Sequence, residues 1–128
     1  MRDFRKLNIW QQGIQLVKQV YGLKNLLPAE EKFGPISQIC RAAISIPSNI
    51  AEGCSRNSTT DYKRFLEMAQ GSAFELETHL AICIELNYIS SEKLEPVLSL
   101  LYKEQQMLNS LITIIKNGTN SERLKAYS

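Results

Sequence analysis

The single histidine, His79, stands four residues before Cys83, a spacing that a helix places on one face, as a shared metal ion would need. Two ligands do not fill a coordination sphere, and no acid or further cysteine is spaced to complete it, so no metal is expected. Cys40 and Cys54 lack a neighbouring histidine and read as buried, inert thiols. Glu67 and Glu75 lie two helical turns apart, about 12 Å along an axis, too far for paired-carboxylate chemistry unless another helix contributes. No glycine-rich phosphate loop, GxSxG or HExxH string occurs. With no catalytic constellation, the expectation is a protein that is not an enzyme and needs no cofactor.

A polar stripe stands out instead. Arg41, Ser45, Ser48 or Asn49, and Glu52 recur at steps of three and four, on one face of an otherwise apolar helix. Serine, asparagine and a charged pair are poor interior helix choices on propensity. Glu67, Gly71 and Glu75 recur at steps of four further along. Two readings fit: an ordinary solvated face, or a bidentate contact of Arg41 with Glu75 that sets the register of two helices. The small residues Gly71, Ser72 and Ala73 would allow a second helix to approach closely.

The elements that carry these residues are helical nearly throughout. Ile9, Trp10, Gly13, Leu16, Val17, Val20 and Tyr21 form a first stripe, closed before Pro28 because the residue preceding proline avoids the α region. Residues 29–34 read as a polar connector. A second helix spans about 35–53, opened by Pro35, bent near the interior Pro47 and terminated at Gly53. Ser58–Asp61 supplies capping oxygens for a third helix reaching about residue 87. A fourth carries Leu94, Val97, Leu98, Leu101, Met107, Leu108, Leu111, Ile112 and Ile115 to Asn117-Gly118. No period-two alternation lasts long enough for a strand. The expected fold is all-α, an antiparallel up-down-up-down four-helix bundle over residues 1–118, with a polar tail over 119–128.

Length and composition agree. The 128 residues are 44% hydrophobic and 22% charged, enough for one domain with its own core and too apolar for a disordered chain. Three cysteines without a CxxC are not a secreted disulfide framework, and no signal peptide is apparent, so a cytoplasmic protein is expected. Apolar runs reach about five residues where a membrane span needs about 20, so no membrane partner is expected.

The string QICRAAISIPSNIAEG at residues 38–53, with FLEMAQGSAFEL at 65–76, closely resembles the four-helix bundle family of 23S ribosomal RNA intervening-sequence proteins. LNIWQ at 7–11 and LPAEEKFG at 27–34 extend the resemblance to about residues 4–116. It implies a bacterial bundle assembled as a homopentameric ring, in which Arg41, Ser45, Asn49, Glu52, Gly53, Gly71 and Glu75 are structural motif residues. It also implies kinship with the accessory variability determinant of diversity-generating retroelements, a ring that binds nucleic acid and a reverse transcriptase. Gln70 stands where the family commonly carries a basic residue, and Cys54 where a small one is usual. The family name records where some of its genes lie, not an activity.

The formal net charge is only +2, but residues 1–64 carry +5 and residues 65–128 carry −3. In an up-down bundle one end gathers Arg2, Arg5, Lys6, Arg56, Lys63, Arg64, Lys116, Arg123 and Lys125 against Asp3, Asp61 and Glu122, a net of +6. Five such ends on one rim would make a phosphate-binding surface, since counterion release drives sequence-independent affinity. The candidate nucleic-acid contacts are therefore Arg2, Arg5, Lys6, Arg56, Lys63 and Arg64. The expected function is non-catalytic association with RNA or another nucleic acid. The alternative is an oligomeric scaffold for a protein partner, with the stripe from Arg41 to Glu52 as its docking face and Ile9, Trp10 and Tyr21 at the subunit interface. Replacing Arg41 by alanine is expected to hurt folding or assembly by stranding Glu75 or Glu52.

Overall fold

Capping chemistry decides where each helix starts. Ser58 and Ser90 adopt extended backbone conformations, and their hydroxyls accept hydrogen bonds from the amides of Asp61 and Lys93. Pro35 opens its helix in the first turn, where no donor is lost. The computed structural model describes residues 2–27 and 34–118. Its four helices are α1 (Asn8–Gly22), α2 (Pro35–Cys54), α3 (Thr59–Glu85) and α4 (Ser91–Lys116), and no strand occurs among the described residues. Short 3-10 turns, Phe4–Lys6 and Leu23–Leu26, flank α1. The first helix thus stops sooner than the expected closure before Pro28: Gly22, with its low propensity, is its last residue and the chain tightens into the 3-10 turn. Most of the expected 29–34 connector and the whole 119–128 tail lie outside the described residues.

Each helix buries one stripe. Leu16 on α1, Ile46 and Ile50 on α2, Leu66 and Leu76 on α3, and Leu101 and Leu108 on α4 are fully enclosed. Burial of each such side chain is worth about 1.5–3 kcal/mol. α2 packs most extensively on α3; α1 on α2, α3 on α4, and α1 on α4 complete the circuit, the last being the slightest. Pro47 sits buried in the interior of α2, and Pro96 lies within the second turn of α4, where it removes one backbone bond without ending the helix.

Two expectations are corrected. Ile9 is buried in the bundle's own core, so it is unavailable for a subunit interface. Gly71 faces outward and nothing lies within 4 Å of the position its Cβ would occupy; Ala73 supplies the buried small residue. The glycine that admits close helix approach is Gly53, where a Cβ would stand 2.8 Å from Phe65 Cβ and 3.3 Å from Tyr62 Cδ1. Beside these, the stripe on α4 carries Glu104 into the core with no exposed surface.

Candidate nucleic-acid interface

The α2–α3 turn is built by local bonds. Ser55 and Arg56 amides donate to the carbonyls of Glu52 and Gly53, and the Ser55 hydroxyl donates to the Glu52 carbonyl at 2.7 Å. Gly53 then allows α3 to pass close enough that Tyr62 and Phe65, 4% and 5% exposed, form a floor beneath the turn. The chain's start arrives here as well. The Arg2 amide donates to the Cys54 carbonyl at 3.4 Å, and Arg2 Nη1 donates to the Arg56 carbonyl at 3.3 Å.

Three guanidiniums lie on that floor. Arg2 sits 3.9 Å from the Tyr62 ring centroid; Arg56 and Arg64 lie 4.5 and 4.6 Å from the Phe65 centroid. Stacking on an aromatic face restricts a guanidinium and leaves edge donors for a phosphate or carboxylate. Arg56 Nε is buried here without a hydrogen-bond partner. Burial pushes the Tyr62 hydroxyl and the Cys54 thiol above their ordinary pKa values, with Arg2 opposing, so neither ionises near neutrality. Of the six candidate contacts, Arg2, Arg56, Lys63 and Arg64 belong to this corner. Arg5 and Lys6 are exposed on the neighbouring 3-10 turn, where Arg5 lies 4.5 Å from the Phe4 ring.

The charge at this end is smaller than the sequence sum of +6. Glu52 and Glu67, absent from that sum, pair with Arg56 at 3.2 Å and Lys63 at 3.5 Å. Asp3 pairs with Arg5 at 3.3 Å, and Asp61 approaches Arg64 at 3.7 Å. Exposed pairs of this kind are worth about 0–1 kcal/mol, so a phosphate can compete for the same donors. Arg123, Lys125 and Glu122 lie outside the described residues.

The polar stripe on α2 is not a cross-bundle link. Arg41 is exposed and makes no hydrogen bond or ion pair with a described residue. Glu75 is exposed too, and its nearest ionic neighbour is His79 at 3.9 Å, one turn along α3. Helical spacing put Arg41 and Glu75 on faces of their own helices, but both faces point outward. Asn49 Nδ2 donates to the Ser45 carbonyl at 2.8 Å, which satisfies the stripe locally. Among the described residues no group of three or more His, Cys, Asp or Glu gathers as a metal site, and all three cysteines are buried and free. No described helix is long and apolar enough to cross a membrane.

Two features lay outside the sequence reading. A groove of about 330 Å³ between α1 and α2 is lined by Trp10, Ile14, Val17, Ile44, Pro47, Ser48 and Ala51. Glu104 is the other, and its signal was available: residues 94, 97, 101, 104, 108, 111 and 115 follow alternating steps of three and four, all aliphatic except this one.

The arrangement defines a small all-helical bundle whose most organised polar surface is a corner of stacked guanidiniums. A family model described as 23S rRNA-intervening sequence protein matches residues 5–110, and the chain belongs to that family. No curated protein matches it. Among solved structures, a protein of unknown function from the S23 ribosomal protein family of Bacteroides thetaiotaomicron is similar, with a TM-score of 0.75 and 26% identity. The match covers 81% of this chain and 97% of that one.

Proposed function

We propose that this chain is a non-catalytic, cytoplasmic RNA-associated protein whose α2–α3 corner holds phosphates. The observation that carries the reading is the trio Arg2, Arg56 and Arg64, laid on Tyr62 and Phe65 at the turn. Restrained guanidiniums lose less freedom on engaging phosphate oxygens, which they can grip bidentately. In this reading the helices alternate in direction and five copies form a ring, bringing five corners to one rim. Repetition turns a weak charge per chain into a stronger field per assembly.

The test is RNA binding as a function of salt. Wild-type affinity for a structured RNA should fall steeply with ionic strength. A variant carrying Arg56→Glu, Lys63→Glu and Arg64→Glu should lose binding, or reduce the slope of log K against log salt by about 2–3. Circular dichroism of the same variant checks that the helices persist. Salt-independent binding, or none, refutes the proposal.

The second reading, a protein-docking scaffold, is favoured by the apolar α1–α2 groove and by the exposed Arg41 on α2, which pairs with no described residue. An oligomeric mass in light scattering, combined with no RNA binding, would support it over the first.

A further inference from the structure

Glu104 is the one charged-type side chain that the described core encloses completely, and neither carboxyl oxygen has a hydrogen-bond partner. Its surroundings are specific. On α1, the Cβ position of Gly13 lies 3.1 Å from Glu104 Oε2, so the carboxyl occupies space that any other residue at 13 would claim. That same Cβ position lies 3.4 Å from Pro47 Cβ on α2. Proline has no N–H, so it cannot donate to the Ala43 carbonyl one turn earlier. A glycine, a proline and a carboxyl thus meet where three helices converge.

The neighbouring residue on α1 presents the complementary defect. Gln12 Nε2 is buried and donates to nothing, and Gln12 also lines an α1–α4 surface groove of about 450 Å³. Asn8, Gln11, Gln15, Lys103 and Met107 form the rest of that groove, whose lining is about equally polar and apolar; the Gln11 amide donates to the Arg5 carbonyl, and Asn8, Gln15 and Lys103 bring further donors. An orphan acceptor faces the core while orphan and solvated donors flank the same seam, the least extensively packed of the four.

We infer that Glu104 is a proton-operated catch on the α1–α4 seam. The neutral carboxyl stays packed against Gly13 and Pro47 and holds the seam shut; the carboxylate leaves the core for the amide-lined groove and loosens α1 from α4. An isolated carboxylate in an apolar interior is too costly to persist, so the group must stay neutral or reach donors. Burial accordingly raises its pKa from 4.5 to about 8, and burial is the only cause. None of the ionisable groups on the packed helices offsets it: Lys18, Arg41, Glu52 and Lys103 are exposed, Glu77 accepts from Gln105, and His79 neighbours Glu75.

The experiment follows the melting of the full chain from about pH 5 to about pH 8, below the range in which the cysteines ionise, for wild type and for Glu104→Gln, which mimics the neutral acid. The unfolding equilibrium constant of wild type should rise with pH by up to about tenfold per unit, while the glutamine variant stays level. Amide exchange in α1 and α4, corrected for the intrinsic effect of pH, should accelerate over the same range in wild type alone. A parallel decline in both proteins overturns the inference. So does a wild-type Glu104 carboxyl carbon resonance that titrates in the ordinary carboxylate range, a measurement that needs no variant.

Discussion

Gly13 and Glu104 meet closely: a Cβ at position 13 would stand 3.1 Å from Glu104 Oε2, so the carboxyl is accommodated by the missing side chain. The contact joins α1 to α4 at the level of Pro47, and burial there favours the neutral acid over the carboxylate.

The first prediction is the direction of pH dependence. The folded pKa of Glu104 lies above its ordinary value, so the native state binds more protons than the unfolded chain between about pH 4.5 and about pH 8. Stability is therefore greatest below that window, declines across it, and levels off above it. Urea midpoints should move down from pH 5 to pH 8, and Glu104→Gln should remove this component.

The two helical glycines at Gly53 and Gly71 should respond in opposite senses. A methyl at 53 collides with Phe65 Cβ at 2.8 Å, an atom fixed by its backbone, so Gly53→Ala should cost about 1–3 kcal/mol. A methyl at 71 meets open space, so Gly71→Ala should stabilise by about 0.5–1 kcal/mol through helix propensity. Thermal melts of the two variants, run side by side, read the difference in sign.

Arg41→Ala should leave the folding stability of the chain within about 0.5 kcal/mol of wild type, because no partner among the described residues is stranded. This reverses the expectation drawn from spacing. Denaturant melts check the stability, and light scattering on the same samples reports whether Arg41 matters to assembly instead.

Ser58→Ala removes the hydroxyl that accepts from the Asp61 amide at 3.0 Å and should cost about 1 kcal/mol. Because the α2–α3 corner begins at this cap, the variant should also weaken RNA binding if the corner holds phosphates. Melting and binding measured together test both consequences.

The resemblance carried by residues 38–53 and 65–76 pointed to the family that the match over residues 5–110 shows. Two other features are equally visible in the sequence but do not by themselves disclose their surroundings. Arg41 and Glu75 each sit on a correctly placed helical face, yet helical phase says nothing about which neighbour that face meets. Glu104 stands on a seven-residue, otherwise aliphatic line, where its type argues for solvent and its register for the core. Register prevailed, since turning α4 to expose one carboxyl would expose Leu101 and Leu108 with it.

The amino-acid sequence by itself determined the four helices and where α2 and α3 begin, because periodicity, Pro35 and Ser58 act through bonds and sterics within a turn or two of chain. Only the tertiary structure decided who meets whom. Guanidiniums from Arg2, Arg56 and Arg64 found Tyr62 and Phe65, Arg41 was left outside, and Glu104 was drawn into the bundle against Gly13. Those partnerships depend on how four apolar stripes close around one core, a balance of burial over the whole chain that no local pattern contains.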